Sequence, residues 1–256
     1  MKKIFIHSLI AATVLLMASC EKSNEYKAPF EITDASQSKL KFIYASAYTA
    51  NPGVQISIDD IRVSNLITGR TPFPGGGFNT PGSSFPDYLR VPAGARNIKI
   101  SIPKRLTNID SIVLYSTQIT VEANRNYTLN VMDTFTRTTS TLVSDTIRQP
   151  ALGTVKYRFV NLMPNVPRID LYYGTTLMAT NIAYNTPGIT FTMDVPAVNV
   201  AWFIRETGTL PTSTALAFLS SAGTVANQRM FTAFAMGYKG ATPTTTRPYI
   251  SFTINL

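Results

Sequence analysis

Imidazole and thiol are almost missing from this chain: its 256 residues hold one histidine, His7, and one cysteine, Cys20. Beyond residue 20 there is neither. That stretch therefore has no disulfide, no thiol nucleophile and no imidazole base, which excludes Ser-His-Asp and Cys-His mechanisms. It also excludes zinc sites of the usual Cys and His ligands. Charge is sparse too, at 14% of residues, and acids number only 14 against 23 bases. An acidic disordered chain and a coiled coil are both ruled out by this composition. Paired-carboxylate glycoside hydrolysis is disfavoured as well, because the only adjacent acids, Asp59-Asp60, would diverge on a strand and instead mark a turn after Ile58. No Asp-rich loop offers calcium ligands, and the sequence implies no metal and no cofactor.

What is present begins with an address. Lys2 and Lys3 precede an apolar stretch from Ile4 to Met17, and the small residues Ala18-Ser19 lead to Cys20. The stretch is too short for an ordinary membrane span and has the three parts of a secretory signal. With the cysteine directly after the small residues, it resembles a bacterial lipoprotein signal. That resemblance implies cleavage before Cys20, lipidation of Cys20, and residence at the outer membrane, on its periplasmic or its outer side. Residues 1–19 are then the signal and 20–38 a flexible tether. The membrane is the first expected partner, through the lipid. Loss of Lys2 and Lys3 leaves a net charge of +7. The basic residues are scattered singly apart from Lys104-Arg105, so nucleic acid is not an expected partner.

Beyond the tether, two halves look alike. Leu40-Lys41-Phe42 matches Val155-Lys156-Tyr157 at an offset of 115. Val91-Pro92-Ala93 matches Val195-Pro196-Ala197 at 104, and Ala123-Asn124 matches Ala226-Asn227 at 103. The fall in offset places an insertion between Phe42 and Val91, and the Gly/Pro-rich residues 71–86 have no counterpart. Alternation supplies strands at Val54/Ile56/Ile58, Ile98/Ile100/Ile102 and Tyr127/Leu129/Val131. The second half alternates at Ile169/Leu171/Tyr173, Ile189/Phe191/Met193/Val195, Val198/Val200/Trp202/Ile204 and Ile250/Phe252/Ile254. We therefore expect an all-β chain of two tandem Ig-like antiparallel β-sandwich domains, at 39–148 and 152–256. The opening strands KLKFIYASAY and TVKYRFVNLMPNVPRIDLYYG, with the later Val-Pro-Ala and Ala-Asn steps, resemble the bacterial domain-of-unknown-function family 4397. That resemblance implies an Ig-like envelope lipoprotein of the Bacteroidetes kind and supplies no catalytic residues.

Candidate binding residues follow from exposed aromatics on this scaffold. Phe73, Phe78, Phe85 and Tyr88 are spread through the insertion without strand or helix spacing. They can stack on sugar rings or anchor a protein partner, or fold back to cap the sandwich. Of the tyrosine pair, Tyr173 shares a face with Ile169 and Leu171, so Tyr172 is the outward candidate. Trp202 belongs to the core. Asp110-Ser111-Ile112 and Asp145-Thr146-Ile147 match a short O-glycosylation motif of Bacteroidetes envelopes, with Ser111 and Thr146 as acceptors. The reading is a non-catalytic envelope lipoprotein that binds glycans or other surface ligands; its alternative is a structural, assembly or adhesion protein contacting another envelope protein.

Overall fold

The computed structural model describes residues 36–80 and 85–256, so the signal, Cys20, most of the tether and residues 81–84 lie outside the described residues. Within them, ten strands form the first half: β1 (Gln37–Tyr44), β2 (Gln55–Ile58), β3 (Ile61–Arg62), β4 (Thr71–Phe73), β5 (Gly77–Phe78), β6 (Leu89–Pro92), β7 (Gly94–Pro103), β8 (Asp110–Val121), β9 (Asn126–Met132) and β10 (Thr139–Asp145). Eight follow: β11 (Thr154–Asn161), β12 (Arg168–Tyr173), β13 (Thr176–Ala183), β14 (Ile189–Asp194), β15 (Trp202–Glu206), β16 (Ala217–Leu219), β17 (Met230–Met236) and β18 (Tyr249–Ile254). The chain is all-β, as expected, and its sheets pair face to face as sandwiches. No helix among the described residues is long and apolar enough to cross a membrane. Gln37 and Ser38, assigned to the tether from sequence, already belong to β1.

The halves repeat one pairing scheme. In the first, β9 lies between β10 and β1, with β4 and β6 also on β1, while β3-β2-β7-β8 forms a second sheet. In the other, β14-β11-β17-β18 and β13-β12-β15-β16 take the same roles. Each half also contains one parallel pair, β1 with β9 and β11 with β17, which alternation alone does not reveal. Lys39 donates its backbone N–H to Arg125, and Lys156 donates equivalently to Arg229, which sets the offsets at 117 and 104. The sequence match at 115 was therefore slipped by two residues. Such a slip leaves every side chain on its own face, so hydrophobic pattern does not detect it.

The four sheets stack in one series. Leu40, Phe42 and Tyr44 of β1 meet Ile56, Ile98 and Ile100 of the first outer sheet. On the opposite face, Ile43, Ala45 and Met132 pack on Val160, Leu162, Phe234 and Met236. Beyond these, Tyr157, Phe159 and Phe252 meet Leu171, Trp202 and Ile204 of the second outer sheet. The inner sheets are thus covered on both faces, which is why β9 and β17 are buried almost throughout. Two predicted runs are corrected here. Val198 and Val200 precede β15 and are exposed, as are Ile189 and Val195; in the run from Ile189 to Val195, Phe191 and Met193 pack on the core. β14 is the edge strand of its inner sheet, and Val198 and Val200 lie in the loop after it, so little packs over these residues.

Polar groups join the inner sheets beside the apolar contact. Lys41, fully buried, donates from Nζ to the Ile254 carbonyl at 2.5 Å and to Thr253 at 3.2 Å. Its ammonium lies 4.4 Å from the centre of the Tyr88 ring. Arg158 pairs with Asp145 at 2.5 Å, and Tyr88 donates to the same carboxylate at 3.2 Å. Burial lowers the Lys41 pKa to about 8, against the opposing attraction of Asp145 and Asp87. Burial likewise pushes the Asp145 carboxyl up, opposed by Thr128, Arg158 and Lys41.

Candidate functional site

The insertion folds onto the second half. Its β5 pairs with β18, Phe78 opposite Phe252, and Ile254 donates its N–H to Gly76 at 2.7 Å. Asn79 extends the seam by donating to the Ile250 carbonyl and accepting from Ser251. Phe78 lies 6.0 Å from Phe231, in contact with the second core. Gly223, at φ +77, faces that ring so closely that a Cβ there would come within 2.9 Å of it. The four insertion aromatics consequently go to separate places. Phe73 packs on Phe42 of the first core, Tyr88 joins the buried polar cluster, and Phe85 remains 73% exposed.

Tyr172 requires a correction. It does face away from Trp202, but it is only 4% exposed, lying beneath the Arg205 guanidinium at 5.1 Å. A long arginine stem and its planar head cover apolar ring surface that sequence alternation assigns to solvent. Trp202 is fully buried, as expected, and its indole N–H donates to Thr224 at 3.0 Å. Asp59 and Asp60 form the expected turn, at φ 49 and 65, joining β2 to β3. They bind Arg96 and Lys99 across to β7. Ser111 and Thr146 are both exposed, on β8 and just after β10.

A groove of about 770 Å³ opens elsewhere, where the first sandwich ends and the second half begins. The loop after β1 supplies Tyr48, β8 supplies Ile112 and Leu114, and the turn after β9 supplies Phe135 and Arg137. Tyr238 comes from the loop after β17, which Thr245 ties to the first half by donating to the Thr49 carbonyl at 3.1 Å. The turn is built on Asp133, at φ 60. Its carboxylate accepts from the Thr134 N–H at 2.7 Å and from the Tyr238 hydroxyl at 2.8 Å. Burial raises the Tyr238 pKa, as does its bond to Asp133, with Thr134 opposing. Tyr238 is therefore a fixed neutral donor.

Phe135 is the unusual member. It is 72% exposed and sits at φ 54, a left-handed conformation that bulky residues rarely adopt. Its N–H donates to the Tyr48 hydroxyl at 3.0 Å, and the two rings meet edge to face with centres 5.1 Å apart. Strain of this kind persists only where neighbours over-determine the backbone, and it concentrates at binding sites. Chemically, the site offers an aromatic face, an apolar floor of Ile112 and Leu114, and the cation of Arg137 at one rim. Sequence reasoning missed Tyr48, Phe135 and Tyr238. One signal was legible: Phe135 is an aromatic just past the alternating run ending at Val131, beside an Asp suited to a turn.

The family model described as Domain of unknown function (DUF4397) matches residues 38–172, from β1 through most of β12. No curated protein matches the chain. Among solved structures, the chain is similar to a candidate cell adhesion protein of Bacteroides uniformis at 9% identity, covering 85% of this chain and 96% of that one. The TM-score is 0.19, too low to carry a structural argument.

Proposed function

We propose, from the premise that this chain belongs to the DUF4397 family, that it is a non-catalytic envelope lipoprotein that binds glycans through the groove at Tyr48 and Phe135. The second half repeats the strand pairing of the first, the family match itself running on into β11 and β12, and Cys20 carries the lipid that holds both at the outer membrane. The carrying observation is the strained, exposed Phe135 locked edge to face on Tyr48. An aromatic face held rigid before binding loses little side-chain entropy when a sugar ring stacks on it. Tyr238 and Arg137 then supply the few oriented polar contacts that such a groove needs for specificity.

Retention on immobilised polysaccharides tests this. Phe135→Ala and Tyr48→Ala are expected to weaken retention by about tenfold each, the loss of a central aromatic anchor. Unchanged retention in both variants refutes the groove as the site. For the anchor, wild type is expected in the membrane fraction and Cys20→Ala in the soluble one. A protein partner is the second reading, favoured by Leu106, Ile109, Ile112 and Val113, all more than half exposed near one end of the first sandwich. Cross-linking that captures one stable envelope protein, without glycan retention, selects it.

A further inference from the structure

Two arginines without acids flank one tyrosine beside the groove. The Arg70 guanidinium stacks 4.0 Å from the centre of the Tyr249 ring, and that of Arg247 lies 5.1 Å from the same ring. Arg247 also donates from Nε to the Tyr249 hydroxyl at 3.2 Å. Among the described residues, neither arginine has a carboxylate partner, and half-buried Arg70 makes no side-chain hydrogen bond at all. Arg96, Lys99 and Arg158, by contrast, each hold a carboxylate. Tyr249 and Arg247 line a second groove of about 530 Å³ with Asn79, Phe218 and Pro248. Ala241 borders both this groove and the one at Phe135, so the two adjoin.

We propose that Arg70 and Arg247, held against Tyr249 whose hydroxyl donates to the Thr244 carbonyl, bind an oxyanion substituent, a sulfate or phosphate ester, carried by the saccharide whose ring stacks at Phe135. This deepens the glycan reading and rests on it. With its carbon 4.0 Å from the Tyr249 ring centre, the Arg70 guanidinium spends no N–H on a side-chain bond, and its edge donors remain free. Those donors match the fork geometry of a tetrahedral oxyanion. Two like charges near one ring repel each other, and an anion within reach of both lowers that penalty. The arrangement thus gains more from an anion than either arginine would alone.

The test compares retention of the full chain on dextran sulfate and on unsulfated dextran at low salt. Wild type is expected to be held by the sulfated gel well beyond the neutral one. Replacing both arginines, Arg70→Gln with Arg247→Gln, is expected to reduce binding to dextran sulfate by about tenfold or more, the loss of charge-assisted bonds. The charge-matched control Lys104→Gln with Arg105→Gln is expected to keep wild-type retention. Equal loss in the control, or equal retention of wild type on both gels, overturns the proposal, since a generally basic surface then explains the binding. If vesicles of anionic phospholipid bind through these arginines and dextran sulfate does not, the saccharide assignment falls. Phe135→Ala separates the two readings: loss there with none in the arginine variant leaves the groove standing without the anion site, and the reverse leaves the anion site alone. Should the double variant melt early, Arg247→Gln at its exposed position carries the test.

Discussion

Raising the pH from 7 to 9 is expected to stabilise this protein, and Lys41 is the reason. An unfolded lysine titrates at 10.5, whereas burial brings Lys41 to about 8 in the folded chain. Between these values the unfolded chain holds a proton that the folded chain has released. The unfolded state binds more protons there, so stability rises with pH across that window. Groups facing the ammonium are Asp145 of β10, Asp87 and Tyr88 of the insertion, Arg158 of β11, and Thr253 and the Ile254 carbonyl of β18. A shift of this size is worth about 3 kcal/mol in full, of which roughly 1–1.5 kcal/mol is recovered by pH 9. Above pH 10 the sign reverses. Tyr44, Tyr88 and Tyr157 are pushed up by burial, and Tyr184 to about 12, so the unfolded chain loses phenol protons first. Urea unfolding of wild type and Lys41→Met at pH 7 and pH 9 measures the effect. Wild type should gain about 1 kcal/mol, and the variant, with nothing to titrate at that position, should not. A flat or falling wild-type curve, or an equal rise in Lys41→Met, refutes the reasoning.

Phe78→Ala is expected to cost about 2–3 kcal/mol in urea unfolding, below the range for a fully buried phenylalanine because the ring is half-buried; a change under about 0.5 kcal/mol, the level of ordinary surface positions, would show that β5 does not clasp the second half. Phe135→Gly should leave the melting temperature unchanged or raise it, because glycine adopts positive φ without strain, while glycan retention falls. A strongly destabilised Phe135→Gly protein would mean that the ring serves packing rather than ligand.

The architecture was legible because outer-sheet residues alternate: Ile56 and Ile58, Ile98 and Ile100, and Ile169 and Leu171 are each buried where period two puts them. Inner-sheet polar residues carried no such signal. Alternation gives no sign at Lys41 or Arg158 that a second sheet covers that side of their strands. Tyr172 failed for a related reason, since the Arg205 guanidinium lies over its ring and alternation carries no sign of that. The offset placed an insertion between Phe42 and Val91, and its aromatics were grouped as one site. Only pairing of β5 with β18 shows that Phe78 has left its own half. The groove at Phe135 draws on residues from Ala47 to Thr246, a separation over which no local pattern extends.

The inner interface also explains why Lys41 is perturbed. Lys41 and Arg158 occupy equivalent positions under the structural offset of 117, as do Thr128 and Thr232 under 104. Thr128 donates to Asp145 at 2.5 Å, and Thr232 donates to the Asn255 side-chain oxygen at 3.1 Å, so Asn255 stands where the other half has the carboxylate. Two cations therefore share one acid. The arginine takes it at 2.5 Å through one nitrogen, and its other nitrogen donates to the Ser144 carbonyl at 3.0 Å. Lys41 is left with a carbonyl, a hydroxyl and the face of Tyr88, which hydrate an ammonium less well than water does. Its proton is the one released as pH rises, and the seam between the halves becomes less costly to bury when it goes.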